Sequence, residues 1–200
     1  MPVFHIDLKP VDFDAWYESF LNRTDRKELE AKHGVTAQRI ARDVENPNHA
    51  VIVVEAASKD AIQQFMNEPA IKARFTDSSV FSEPPKLIGG YERTDIEPFT
   101  EGESAAFFVD QHLADYDKWY QLWSANRARP DSIAAKHGCK PIRLLRDIDD
   151  GNHTVLVFLA PNKAAMESLM AEPELQSNFA NREIFDQPPA LAGQYNAMIV

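Results

Sequence analysis

The chain carries one pattern twice, and nothing else in it constrains the fold as strongly. Asp14-Ala15-Trp16-Tyr17 returns as Asp117-Lys118-Trp119-Tyr120, 103 residues later. Ala31-Lys32-His33-Gly34 returns as Ala135-Lys136-His137-Gly138, 104 residues later, so one residue is inserted between the two landmarks. Arg42-Asp43 with Asn48-His49 returns as Arg146-Asp147 with Asn152-His153. Pro84-Pro85, Gly89 and Tyr91 return as Pro188-Pro189, Gly193 and Tyr195. A period near 100 residues is too long for a solenoid unit and suits a small domain. The expected division is a first repeat over 1–94, an acidic linker over 95–104 and a second repeat over 105–200. Positions kept in both copies serve a need both copies share. Positions that differ are where one copy can specialise.

Within each copy the spacing of apolar residues reads strand, helix, strand, strand, helix, strand. Residues 3–9 alternate, with Phe4, Ile6 and Leu8 on one face and His5 and Asp7 on the other. Asp12 stands at the N-cap of a helix that the pattern carries to about residue 32, with Trp16, Phe20 and Leu21 as its apolar stripe and Gly34 as its stop. Residues 36–44 and 51–55 form strands joined by the turn residues Glu45-Asn46-Pro47-Asn48. Ser58 caps a second helix that Pro69 breaks or kinks, and 87–93 is the last strand. The second copy repeats this with strands at 106–112, 140–148, 154–160 and 190–198 and helices at 115–136 and 163–180. This βαββαβ order is the ferredoxin-like arrangement. The expected fold class is therefore α+β, two such repeats burying their sheet faces on each other as an intramolecular dimer would.

Composition removes several functions. The formal net charge is −10 and the basic residues are scattered, which excludes a nucleic-acid partner that needs clustered Lys and Arg. There is no run of 18 apolar residues to span a membrane, and the N-terminus lacks a signal-peptide pattern, so a cytoplasmic location is expected. The one cysteine, Cys139, stands where the first copy has Val35 and reads as a small buried apolar residue. No Gly-rich phosphate loop, Gly-x-Ser-x-Gly or Cys-x-x-Cys is present. Outer sheet edges leave a homo-oligomer open.

The residues also carry a family resemblance. The helix start Asp115-Tyr116-Asp117-Lys118-Trp119, the Arg-Asp pair entering each hairpin, and Glu172-Pro173-Glu174-Leu175 (Glu68-Pro69-Ala70-Ile71 in the first copy) resemble the dimeric α+β barrel superfamily. The antibiotic-biosynthesis-monooxygenase-like branch is most similar, here as a tandem fusion of two repeats. The resemblance implies a small-molecule-binding or stress-related protein with a cavity between its two sheets. The alternative it implies is a cofactor-independent monooxygenase or isomerase acting on an aromatic or polyketide-like compound. No cofactor is expected. The Asn, Trp and His arrangement of the haem-degrading members has no residue-by-residue match here.

Several residues are candidates for a site. If Phe4, Ile6 and Leu8 face the helices, then His5 and Asp7 face away from them, as do Phe108, Asp110 and His112 in the second copy. Ile40 and Leu144 facing the helices turn Arg39 and Arg143 the same way. Asp7 with Arg39, and Asp110 with Arg143, then make either structural ion pairs or a functional site in which the aspartate binds a polar ligand or acts as a general base, because a buried carboxylate needs a cationic partner. His5 and His112 are the candidate bases beside those aspartates, and each differs between the copies, which is where specialisation would appear. His49 and His153 either contact ligand or hold their hairpins. Trp16, Tyr17, Trp119 and Tyr120 either fill the core or meet a flat aromatic ligand. His33 and His137 beside helix-ending glycines suit the helix dipole. No short metal-ligand spacing such as His-x-x-x-His occurs, and no metal is expected.

Overall fold

A computed structural model describes residues 1–98 and 105–199. The acidic linker expected over 95–104 lies largely outside these residues; Asp95 itself ends a strand. The chain divides into two compact units, residues 1–91 with 195–200, and residues 92–194.

The first unit begins with β1 (Val3–Pro10), α1 (Phe13–Asn22) and α2 (Thr24–His33). It continues with β2 (Val35–Asp43), β3 (Ala50–Ala56), α3 (Lys59–Asn67), α4 (Pro69–Phe75) and β4 (Phe81–Asp95), whose last residues belong to the second unit. The strands pair antiparallel. β1 lies between β3 and β4, β2 lies against β3, and Tyr195–Ile199 pair with β2 on its other side. Phe4, Ile6 and Leu8 pack with Phe13, Trp16, Ile62 and Phe65 in one cluster, so the alternation read along β1 has the facing expected.

The second unit repeats the element order with β5 (Ala105–His112), α5 (Tyr116–Ala125), α6 (Ala128–Lys136), β6 (Lys140–Asp147), β7 (His153–Ala160), α7 (Lys163–Met170), α8 (Pro173–Phe179) and β8 (Ala190–Ile199). β7 lies between β5 and β6. Phe107, Val109 and Leu113 face a cluster with Trp119, Ile133, Met166 and Leu169. Cys139 is buried in this cluster, and burial pushes its thiol up to about 11, so it is an inert packing group.

Local signals decide most element ends. The carboxylates of Asp12 and Asp115 accept from the amides of Ala15 and Lys118, and Ser58 Oγ accepts from Ala61 N. Gly34 and Gly138 hold φ of 61° and 67°, the left-handed conformation that ends a helix without a Cβ penalty. Two expectations needed correction. The first helix does not run unbroken to residue 32, because Arg23 is extended (φ −73°, ψ 111°) and splits it into α1 and α2. The second copy breaks likewise between Ala125 and Ala128. The last strand of the first copy begins at Phe81, six residues before the expected start, because its proline-containing stretch stays extended against β1. Pro69 and Pro173 each begin a new helix, as proline at the first helical position does.

Candidate functional site

Each unit brings one histidine between two aspartates. His49 begins next to the β2–β3 turn, with Nε2 2.6 Å from Asp7 Oδ1 and Nδ1 2.9 Å from Asp43 Oδ2. His153 repeats this, with Nε2 2.6 Å from Asp110 Oδ1 and Nδ1 3.0 Å from Asp147 Oδ2. The turn aspartates are themselves held. Asp43 Oδ1 accepts from the amides of Glu45 and Asn46, and Asp147 Oδ1 from those of Asp149 and Asp150. A histidine that donates from both ring nitrogens is an imidazolium. Burial opposes its charge. Hydrogen bonds and attraction from the flanking aspartates outweigh that, so His49 and His153 both rise above the ordinary value of 6.5. Burial likewise raises Asp43, but His49 and the two turn amides outweigh it and the carboxyl ends below its ordinary value.

These geometries revise the sequence reading. The partner of Asp7 and of Asp110 is a histidine and not an arginine. β3 lies between Asp7 on β1 and Arg39 on β2, and Arg143 Nε donates instead to Asp95 at 2.7 Å. His5 is buried and packs against Tyr91, 4.8 Å between ring centroids with the planes tilted by 50°. Gly89 leaves room for that ring, since a Cβ there would collide with the Tyr91 phenol. Tyr195 lies 6.3 Å from His49, and burial together with Asp43 and Asp7 pushes its phenol up. Asn48 and Asn152 serve the fold, their side-chain oxygens accepting from Phe13 N and Tyr116 N and so tying each hairpin to the first helix. His33 and His137 reach Glu68 and Glu172 at 2.8 and 2.7 Å and join helices α2 to α4 and α6 to α8. Arg42 and Arg146 lie over the rings of Phe13 and Tyr116 at 4.1 and 3.7 Å.

The Asp–His–Asp arrangement makes stability depend on pH in a defined direction. A raised histidine value contributes stability fully below about 6.5 and loses it as pH climbs through the folded value. The lowered Asp43 value contributes above about 3.8 and is lost as pH falls. The urea midpoint of the native chain should therefore fall as pH rises above neutrality. His49→Gln should remove the part of that slope due to the first unit and cost about 1.5–3 kcal/mol at pH 6, the worth of hydrogen bonds to charged groups. An unchanged slope would show that His49 is neutral in the fold.

A cavity lies on the other side of the sheet. In the second unit a space of about 370 Å³ opens between β5 and β7 on one wall and α5, α6, α7 and α8 on the other. Trp119, Trp123, Leu156, Phe158, Leu169 and Phe179 make it mostly apolar. Trp119 and Trp123 stack at 5.5 Å, 10° from parallel. Gln111 is buried at its sheet wall, and among the described residues its hydrogen-bond partner is Thr154 at 3.1 Å. At the helix end Arg129 and Glu174 line the cavity and form a two-pronged ion pair, Nη2 to Oε2 at 2.7 Å.

The matching space in the first unit is about 60 Å³. The alignment of the copies explains the difference. Arg26, Glu30 and Arg74 fill the first cavity, and Pro130, Ala134 and Asn178 stand in their places in the second. Leu8 is replaced by Gln111, which brings a polar group to the wall. Of the sequence candidates, Trp119 lines the large cavity and Trp16 the small one. Tyr17 and Tyr120 are half-buried against their own unit's core. Asp110 and His112 alternate with Val109 and Gln111 along β5, so they emerge from the face opposite the cavity. The candidate bases and the candidate aromatic contacts are thus not one site. Trp123 and Gln111 went unrecognised in the sequence. The signal that could have found them is the change from Phe20 and Leu8 at otherwise matched positions.

The chain matches no protein-family model and no curated protein. Solved structures resemble it along nearly its whole length. An anthrone oxidase-like protein has a TM-score of 0.55 at 10% identity, covering 99% of this chain and 93% of its own. A variant of chlorite dismutase from Candidatus Nitrospira defluvii has 0.52 at 12% identity, covering 96% and 90%. A candidate monooxygenase from Fusobacterium nucleatum has 0.51 at 12% identity, covering 99% and 92%. At such identities the likeness is one of fold alone. No helix among the described residues is long and apolar enough to cross a membrane.

Proposed function

We propose that the second repeat binds a flat, largely apolar small molecule in the cavity between β5, β7 and helices α5 to α8, and that the first repeat is a filled scaffold copy. The observation that carries this is the asymmetry of the two spaces, about 370 Å³ against about 60 Å³, produced by substitutions that remove side-chain volume from one copy only. The larger value falls within the range of small-molecule sites, and the lining has the character such sites have, apolar walls with few polar groups. The paired indoles suit the face of an aromatic ring system, and Gln111 offers one hydrogen bond to orient a carbonyl or hydroxyl group. The cavity lining holds no His, Cys or Tyr, and Met170 is its one side chain of a kind that ligates haem iron, so the residues present do not fit a haem held by a proximal His, Cys or Tyr.

A monooxygenase-type reaction is the second reading, favoured by the fold likeness to an anthrone oxidase-like protein and by the mostly apolar cavity. It lacks a base in place, since Asp110 and His112 lie on the opposite sheet face and Glu174 is engaged by Arg129. Binding without turnover is accordingly the preferred reading. Titration with 1,8-dihydroxyanthrone, read by tryptophan fluorescence and oxygen uptake together, separates them. Saturable quenching at one equivalent without oxygen uptake supports binding. Uptake of one O₂ per anthraquinone formed supports the reaction. No saturable quenching by this or related tricyclic aromatics overturns both. Gln111→Leu should weaken binding roughly 10-fold, about the worth of one hydrogen bond.

A further inference from the structure

On the sheet face opposite the cavity, we infer that Asp110, His112 and His153 form a binding site for one divalent transition-metal ion of the zinc type. β5 and β7 are paired so that His112 and His153 stand directly opposite each other, and Asp110 lies two residues from His112 on the same face. Asp110 bridges them, Oδ1 at 2.6 Å from His153 Nε2 and Oδ2 at 3.2 Å from His112 Nε2. One donor atom from each of the three lies within 4.8 Å of the other two. Ligands about 2.0–2.2 Å from a tetrahedral ion are separated by roughly 3.4 Å. Seating the ion therefore needs an opening of the short Asp110–His153 contact and a turn of the two imidazoles, which stack 4.7 Å apart and 13° from parallel, so that their Nε2 lone pairs converge. Two imidazoles and one carboxylate suit a borderline divalent ion and leave a coordination position open. All three side chains are partly exposed, which gives the ion a path in.

A second observation points the same way. His153 Nδ1 is 3.0 Å from Asp147 Oδ2, and Asp147 is fixed by two turn amides. That hydrogen bond holds the Nδ1 proton toward Asp147, so an ion that displaces the Nε2 proton meets the Nε2 lone pair directed at the site. This is the outer carboxylate support that metal-binding histidines commonly have. The first repeat supplies an internal control. Asp7, His49 and Asp43 repeat the arrangement, but Lys9 replaces His112, and its ammonium, which cannot ligate, reaches Glu83 at 2.7 Å. The chain should thus bind one ion, not two. No short spacing marks the site, because its histidines sit on paired strands 41 residues apart.

Calorimetric titration of Zn²⁺ and visible absorption of Co²⁺, on the untagged full chain, test this. The expected result is one equivalent per chain with Co²⁺ bands of four- or five-coordinate intensity. His112→Lys should abolish the bands, Asp147→Asn should weaken binding 10–100-fold, and Lys9→His should add a second equivalent. Far-ultraviolet circular dichroism of each variant checks that it folds. Absence of stoichiometric binding in the native chain, or binding that survives His112→Lys, overturns the site.

Discussion

Ala134→Phe should make the protein more stable and close the proposed ligand site. Ala134 is buried on α6, lines the large cavity, and stands where the first copy has Glu30. A phenyl group there occupies space that the first repeat fills with its own side chains. Cavity-filling changes of this kind commonly contribute about 0.5–2 kcal/mol, visible as a higher urea midpoint. Affinity for 1,8-dihydroxyanthrone should fall at least 100-fold. Lower stability, of the 1–3 kcal/mol that overpacking costs, would mean that the helices cannot accommodate the ring, and Ala134→Leu then serves as the smaller filler. A stable, filled variant that binds as well as the native chain would remove the cavity from consideration.

Trp119→Ala should act in the opposite sense. Trp119 is buried, stacks on Trp123 and lies near Tyr116 and Tyr120, so it joins the cavity wall to the core of the second unit. Truncating such a residue costs about 3–5 kcal/mol, a large part of a domain's stability. Trp123 is only half-buried. Trp123→Ala should therefore cost less in stability while weakening ligand binding more than its effect on the midpoint suggests. Chemical denaturation beside ligand titration separates the two. If both variants lose stability equally and bind equally, the indole pair is packing alone.

Much of the fold was legible in the sequence because it rests on short-range signals. The repeat gave the element order, alternation along β1 and β5 gave their facing, and Asp12, Ser58, Gly34 and Pro69 marked helix ends by chemistry that acts within a few residues. The break at Arg23 carried no such signal, since neither glycine nor proline marks it. The Asp–His–Asp arrangements were hidden for a different reason. Asp7 and His49 are far apart in sequence and meet only through the register of β1 and β3, while Asp43 reads from its neighbour Arg42 as half of a surface pair. Arg42 in fact turns to Phe13 and Pro47 and forms its ion pair with Asp14. The cavity was hidden because it is an absence of volume. It becomes visible only when Arg26, Glu30 and Arg74 are set against Pro130, Ala134 and Asn178 with their facing known.

The most direct test of the central claim is a crystal structure of the chain soaked with 1,8-dihydroxyanthrone. The account predicts density for one planar molecule between β5, β7 and helices α5 to α8, against Trp119 and Trp123 and within hydrogen-bonding distance of Gln111, with none in the matching space of the first unit. Ligand bound elsewhere while that cavity holds only water, or ligand in both units alike, would contradict it.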